Sequence, residues 1–307
     1  MNITTNNTTK ITFTIITTLV EAQKWWEFFS SNESLFDTWE LRYCFYKYFN
    51  YPLSFLLGTV DGQSVGLLPM QFNTDVSRLE FFGGSWFEDN RIFIRPGFEN
   101  CIPEFFKQVT QPAKLEFITG TDTFITSLPI IDYKYLLPLG EFHKSKDYIE
   151  KYYHGETKKK FNKRIKKVKE LDITIEQNNE ADLEMLIQYN LANFEDKSTF
   201  LYPHRQEIYR DLIKLPFQHL LTTFVCQGEK IAISLAFLYK NTYYSFKATT
   251  KPDSEKNLID YVRMVKIAEA LKHKMTAYDA LASDCGWKEN WYFTRKPQYI
   301  FEIKKPV

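Results

Sequence analysis

The chain runs through the same series of elements twice, and this repetition limits its fold more than any other feature. In the first half, KITFTIIT (Lys10 to Thr17) alternates apolar and polar residues as a half-buried strand does. Thr18 to Glu21 is a T-x-x-E capping box that opens a helix through AQKWWEFF. A second helical stretch, LFDTWELRYCFYKYF, leads to SFLLGTVDGQSVGLLPMQF, where Asp61-Gly62 between two apolar runs predicts a hairpin. The strand RLEFFGG, the helix NCIPEFFKQV and the strand KLEFITG follow. In the second half the order returns: strand LDITIEQ, helices LEMLIQYNLANF and HRQEIYRDLIKL, and the hairpin TTFVCQGEKIAISLAFLYK with Gln227-Gly228 in the corresponding place. Strand TYYSFKATT, helix LIDYVRMVKIAEALKH and strand TAYDALA complete it. So long an ordered match points to a duplication. Each copy predicts three antiparallel strands, a crossover helix and a parallel strand. Where the last two strands diverge a cleft opens, and the crossover helix directs its N-terminal N–H groups toward it. The expected domains are 1–140 and 141–307, the second led in by LPLGEFHKSKDYIEKYY and beginning with a basic connecting helix.

That helix lies in HGETKKKFNKRIKKVKELDITIEQ (His154 to Gln177), the most lopsided stretch of the chain. Phe161, Ile165 and Val168 recur at helical spacing as an apolar stripe. Lys158, Lys159, Lys160, Lys163, Arg164, Lys166, Lys167 and Lys169 mostly cover the other face. The whole chain of 307 residues carries a formal net charge of only +1, which argues against a dedicated binder of duplex DNA. Its 44% hydrophobic content fits a folded chain with a real core. Cys44, Cys101, Cys226 and Cys285 lie far apart without metal-ligand spacing, so no metal is expected and reduced thiols in the cytoplasm are. ITFTIITTLV is too short and too rich in threonine to span a membrane. The N-x-S/T triplets at Asn2, Asn6, Asn7 and Asn32 have no meaning without secretion. No histidine shows a partner spacing that reads as a triad.

Further segments carry a resemblance: LFDTWEL, DGQSVGLLPM and FFGGSWFEDNRIFI in the first half, then KKKFNKRIKKVKELDITI, QGEKIAISLAF and YDALASDCGWKENW in the second. On these residues, spread over nearly the whole length, the chain resembles a tandem GNAT-fold acyltransferase. It is similar to the FemAB/FemX-type aminoacyl transferases and, more closely, to the related CelD-like acetyltransferases. The most specific segment is the last, an Asp-ended strand followed by Gly-Trp-Lys and a further Trp. The resemblance implies an α/β fold of two tandem GNAT-like domains, each a mixed, mostly antiparallel sheet flanked by helices. It implies transfer of an acyl group, first of all acetyl from acetyl-CoA, to a primary amine of a sugar, peptide or small molecule. Acyl-CoA would then be a co-substrate, with no cofactor tightly bound. One departure concerns the segment KATTKPDSEKNLIDYV, which has no glycine where the GNAT pattern has a Gly-rich turn. FemX-type proteins, which take an aminoacyl group from tRNA, also lack that turn. Aminoacyl-tRNA-dependent transfer is therefore one alternative, and a non-catalytic binding module for RNA or glycan is another.

Through the resemblance, Lys247, Ser254, Lys256 and Asn257 are the expected cofactor-binding residues, with Ser254 capping the helix and Lys256 meeting a phosphate. Lys288, Asp279 and Tyr292 are the expected catalytic residues. Each has a plainer reading. Lys288 positions an acyl group or snorkels from a packed stem; Asp279 accepts an amine proton or caps the following turn; Tyr292 protonates a departing thiolate or packs in a core. Trp86, Trp287 and Trp291 are the expected aromatic walls of the acceptor groove, with Asp89 and Arg164 as its charged partners. The basic helix is a solvated connector, a membrane-surface helix, or a face for CoA phosphates, a sugar nucleotide or tRNA. Cys285 beside the Gly-Trp-Lys motif suggests a nucleophile, but GNAT-type transfer is direct. The expected partners are an amine acceptor and acyl-CoA, without a DNA duplex or a membrane span; the oligomeric state is not legible.

Overall fold

The computed structural model describes residues 10–283 and 286–304. Two compact units form: residues 1–133 together with 297–307, and residues 134–296. The chain therefore passes from one to the other twice, and the C-terminal strand belongs with the first unit.

The first unit opens with β1 (Ile11–Ile16) and α1 (Leu19–Phe29). Thr18 caps α1 by accepting the Glu21 N–H at 3.4 Å, while its hydroxyl donates to the Glu21 carboxylate at 2.7 Å. After α2 (Trp39–Tyr46), β2 (Phe55–Val60) and β3 (Gln63–Leu68) form the predicted hairpin. Asp61 and Gly62 both adopt positive φ, +48° and +77°, the conformation a tight two-residue hairpin demands. Then come β4 (Met70–Asn73), β5 (Arg78–Phe81), β6 (Phe93–Ile94), α3 (Ile102–Lys107), β7 (Ala113–Ile118), α4 (Thr123–Ser127) and β8 (Ile130–Pro138). Strands β1, β2, β3 and β6 pair antiparallel throughout. The mixed part lies beyond Pro69, where β4 pairs antiparallel with β5 and β5 parallel with β7. Proline has no N–H for a ladder and interrupts the strand at that point. The expectation that the first hairpin sits in one mixed sheet is corrected accordingly. The core beneath is aromatic: Trp26 packs among Trp39, Phe55, Phe82 and Phe93, and its indole N–H reaches the Asp37 carbonyl at 2.8 Å.

The second unit contains α5 (Ser145–Tyr152), α6 (Gly155–Lys169), β9 (Thr174–Gln177), α7 (Asp182–Phe194), α8 (Pro203–Leu212), β10 (Gln218–Cys226), β11 (Glu229–Tyr239), β12 (Thr242–Thr250), α9 (Leu258–Lys272) and β13 (Ala277–Asp279). Strand β14 (Thr294–Ile303) is the last described strand. Here the predicted order is realised without a break. Strands β9, β10, β11 and β12 pair antiparallel in succession, β12 pairs parallel with β13, and β13 pairs antiparallel with the end of β8. In the first unit the matching outer place beside β7 is taken antiparallel by β14. Gln227 and Gly228 repeat the turn of the first hairpin, with φ +51° and +79°. On α6, Phe161 and Val168 are buried and Ile165 is half-buried, so the predicted stripe does seat the helix. The fold is thus α/β, with two GNAT-like layers of sheet and helix.

Candidate active site

Strands β12 and β13 are paired only at Thr242–Ala277, Tyr243–Tyr278 and Tyr244–Asp279. Beyond Tyr244, β12 continues to Thr250 with no described strand on that side. This is the predicted divergence. Immediately past it β12 bulges: Ser245 faces Ala236 and Lys247 faces Leu235, leaving Phe246 outside the register with β11. Helix α9 lies beside the opening and carries Asp260, Arg263 and Lys266 at steps of three, on one face.

A cleft of about 440 Å³ adjoins this helix, lined by Tyr153, Thr157, Arg164, Asp260, Arg263, Trp287, Glu289, Asn290, Trp291 and Tyr292. Its floor is a charge cluster. Arg263 Nη1 donates to Asp260 Oδ1 at 2.8 Å, and Arg164 Nη2 lies 3.6 Å from Asp260 Oδ2. The Arg263 guanidinium lies over the Trp287 ring, 4.2 Å from its centre. Glu289, the other acid of the cleft, is paired with Arg295 at 3.0 Å. Two guanidiniums thus meet at one carboxylate, an arrangement that can hold an anionic group. Its walls are held rigidly. Tyr148 donates to the Trp291 carbonyl at 2.7 Å, Phe161 meets Trp291 edge-on at 5.5 Å, and Tyr292 stacks on Tyr152 at 4.9 Å. Burial pushes the Tyr153 phenol up to about 12, so it stays protonated and able to donate.

The expected site residues divide among several places. Arg164, Trp287, Trp291 and Tyr292 come together in this cleft. Tyr292 is 39% exposed and takes φ +58° at the end of the short turn Glu289–Trp291. Lys288 and Asp279 are not in the lining. Lys288 is 4% exposed; its ammonium donates to the Leu281 and Ala282 carbonyls and lies 4.9 Å from the Tyr135 ring centre. Asp279, 1% exposed, is ion-paired with Lys134 at 2.9 Å and accepts the Leu281 N–H at 2.8 Å. Both therefore hold the segment that follows β13, and Asp279 matches its capping reading. Trp86 and Asp89 lie in the first unit, where Asp89 is buried and accepts from Thr119 at 2.8 Å. Cys285 lies outside the described residues, as do Asn2, Asn6 and Asn7.

The expected cofactor residues cluster differently. Lys247 donates to Thr199 Oγ1 at 2.7 Å. Helix α9 begins at Leu258 with Asn257 as its cap residue, so Ser254 does not cap it. A hollow of about 330 Å³ at this end is lined by Glu229, Lys251, Pro252, Asp253, Ser254 and Glu255, among others. Its lining cation Lys251 is paired with Glu229, and Glu255 is paired with Lys167 of α6 at 3.0 Å. Lys256 is exposed, and Asn257 donates to Glu255 at 3.1 Å. Three carboxylates around a turn without glycine do not make a cradle for a diphosphate, so the fit to CoA is poor here.

Three residues escaped the reading of the sequence: Asp260, Arg263 and Lys266. Their signal was present, because LIDYVRMVKIAEALK places a charge at every third position of an otherwise apolar helix. Lys266 is 3% exposed, and its ammonium donates to Ser245 Oγ. Burial, reinforced by Arg263 and Lys288 and opposed by Glu269, depresses its pKa to about 7.

Residues 155–289 match the family described as Acetyltransferase (GNAT) domain. No curated protein matches the chain. Among solved structures, FemX superposes with a TM-score of 0.61 at 10% identity, covering 95% of this chain and 97% of that one. The C-terminal domain of a putative lysylphosphatidylglycerol synthetase from Agrobacterium fabrum gives 0.54 at 9% identity, with 92% and 91% covered. A tandem GNAT protein from the clavulanic acid biosynthesis pathway gives 0.51 at 9% identity, with 95% and 97% covered. The fold is the common ground at such identities: the chain has a tandem GNAT-type fold like these structures, and its match to the GNAT domain lies in the second unit.

Proposed function

We propose that this protein is an N-acyltransferase that moves an acyl group from an activated ester or thioester to a primary amine. The observation that carries this reading is the opening between β12 and β13, inside the segment that matches the GNAT domain. An acyl carbonyl laid against β12 past its last pair with β13 is polarised by backbone N–H groups of that strand. The cleft beside α9 then anchors the rest of a ligand, its anionic part on Arg263 and Arg164 and its flat or apolar part on Trp287 and Trp291. Holding donor and amine together supplies up to about 7–11 kcal/mol of the barrier.

The crowded, carboxylate-lined turn before α9 favours an aminoacyl ester, the donor that the FemX resemblance implies, over acyl-CoA. The acceptor is a small molecule, peptide or glycan with a primary amine. The test is incubation with acetyl-CoA in one series and charged tRNA in another, each with a panel of amines, and mass spectrometry of the amide products. Amide formation that falls sharply in Arg263→Met supports the reading. A well-folded protein that forms no amide from either donor class, and binds neither, would make it a binding module instead.

A further inference from the structure

We propose that Ser245 and Lys266 form a proton relay for direct acyl transfer, in which the Ser245 hydroxyl touches the acceptor amine and Lys266, behind it, receives the amine's proton. This rests on the acyltransferase reading above and names the residues that would serve it. The argument begins with position. Strands β12 and β13 part after the Tyr244–Asp279 pair, and Ser245 is the next residue of β12. Tyr243 and Ser245, two positions apart on that strand, both reach α9, the first through Glu269 at 3.1 Å and the second through Lys266. Ser245 is also hydrogen-bonded to the Tyr278 phenol on β13. Both diverging strands and α9 thus meet at one hydroxyl. Lys266 is 3% exposed and Tyr278 1%, so the half-buried Ser245 is the member of the group that a ligand in the opening can touch.

The second point is the surroundings of Lys266. Among the described residues, Ser245 Oγ is its one hydrogen-bond partner. A buried ammonium normally collects acceptors for its three N–H groups. Glu269, one turn further along α9, is instead occupied by Gln177 of β9 at 2.8 Å, Thr222 of β10 at 2.6 Å and Tyr243 of β12 at 3.1 Å, and makes no described ion pair with Lys266. The other charges acting on the amine are Arg263 on α9 and Lys288 after β13, both cations. This setting suits a neutral amine with a lone pair to offer, and the depressed pKa of about 7 agrees with it. Burial pushes the Tyr278 phenol up instead, so Tyr278 keeps its proton. The hydrogen-bond inventory then closes. Tyr278 donates to Ser245 Oγ, the Ser245 hydroxyl donates to the Lys266 lone pair, and the second lone pair of Oγ accepts an N–H of the acceptor amine.

The chemistry balances without any further reagent. The neutral amine attacks the acyl carbonyl; the C–N bond forms and the carbonyl π electrons move to oxygen. The nitrogen, now cationic, gives a proton to Ser245 Oγ while the Ser245 hydroxyl proton passes to Lys266 Nζ. The carbonyl then re-forms and the bond to the donor's ester oxygen or thioester sulfur breaks. Lys266 returns the proton through Ser245 to that departing atom. The products are the amide and the protonated leaving group, and no bond forms between the acyl group and the protein.

The test uses the full chain, acetyl-CoA and charged tRNA as donors, and primary amines of different basicity as acceptors. Mass spectrometry follows the amide, and thermal melts monitor folding. Expected is a kcat that rises with pH through a midpoint of about 7, at the same place for every amine because the titrating group belongs to the enzyme. Ser245→Ala should lower kcat about a hundredfold with little change in KM and flatten the profile. Ser245→Thr, which keeps a hydroxyl, should restore most of the rate. Lys266→Arg, whose guanidinium keeps its charge and cannot take up a proton, should lose as much as Ser245→Ala. A midpoint that follows the basicity of the amine, a flat wild-type profile, a threonine variant no better than the alanine one, or an undiminished kcat in folded Ser245→Ala or Lys266→Arg would overturn the relay and leave the acyltransferase standing. If the lysine variant unfolds, the two serine variants and the wild-type profile decide. No amide from either donor class would overturn the acyltransferase reading, and the relay with it.

Discussion

Each unit gathers arginines and aspartates into one cluster, but the two clusters are built for different ends. In the first unit, Arg42 is 2% exposed and its guanidinium lies 4.0 Å from the Phe87 ring centre. It donates to the Phe36 carbonyl at 2.8 Å, Phe82 at 3.2 Å, Asn90 Oδ1 at 2.6 Å and the Asp89 carbonyl at 2.7 Å. Asp37 and Asp89 lie close enough to act on its charge, and Arg91 Nε reaches Asp37 at 3.1 Å. In the second unit, Arg263, Arg164 and Asp260 line an open cleft with aromatic walls. One cluster closes its charges into a strut; the other leaves them lining an open cleft. A buried cation with most of its donors engaged rigidifies. A half-open one, with an aromatic face beneath it, recognises.

The comparison breaks most visibly if Arg42 is removed. Arg42→Met deletes those hydrogen bonds and leaves two buried carboxylates with Arg91 as their remaining cation. The expected loss is about 3–5 kcal/mol of stability, read from the urea midpoint. A loss below about 1 kcal/mol would mean the first cluster is no strut. Arg263→Met is the counterpart. Its ion pair is part-exposed, so the expected stability loss stays within about 1 kcal/mol. Amide formation, by contrast, is expected to fall about a hundredfold, because a misplaced ligand loses rate steeply. A variant that loses stability and keeps turnover would make the two clusters alike.

Much of the fold could be read because its signals are local. Asp61-Gly62 and Gln227-Gly228 announced their turns, Thr18 and Glu21 a helix start, and Phe161 with Val168 the buried side of α6. The return of β14 to the first unit had no such signal, since long-range pairing depends on partners far along the chain. The site was half legible. Trp287, Trp291, Tyr292 and Arg164 stood out by composition and motif. Lys288 stood out too, yet its ammonium turns inward to the carbonyls of Leu281 and Ala282, which only the folded loop supplies. Ser245 was hidden for the opposite reason: a lone serine in a strand has no pattern, and only the register places it at the opening.

Lys266 sharpens the contrast through pH. Burial holds its folded pKa near 7, below the ordinary 10.5. Between those values the unfolded chain binds more protons than the folded one, so this group's contribution to stability rises as pH climbs through the window. The slope is at most about 1.4 kcal/mol per pH unit. Lys266→Met should remove that slope, as seen by comparing urea midpoints of both proteins at pH 7, 8 and 9. Equal slopes in the two would mean that the lysine stays protonated inside the fold.

The smallest effects are expected on the basic face of α6, the one feature that looks on sequence like a nucleic-acid site. Most of its cations already have acids: Lys158 with Glu150, Lys159 with Glu156 at 3.0 Å, Arg164 with Asp260 at 3.6 Å, Lys166 with Glu170 at 3.9 Å and Lys167 with Glu255 at 3.0 Å. Lys160, Lys163 and Lys169 are exposed and make no ion pair with a described residue. Changing these three to Gln should move stability by no more than about 0.5 kcal/mol, as exposed substitutions do. Duplex DNA is expected to bind weakly to wild type and variant alike, since a duplex grip would show a log–log salt slope of about −0.9 per phosphate contacted. Fluorescence anisotropy across a salt series, with duplex DNA and tRNA as separate probes, measures both. Steep duplex binding that the variant loses would make α6 a DNA-binding face and end the connector reading. Steep tRNA binding lost alone would instead tie the helix to an aminoacyl ester donor, and so carry the contrast between strut and cleft onto the helix that follows α5.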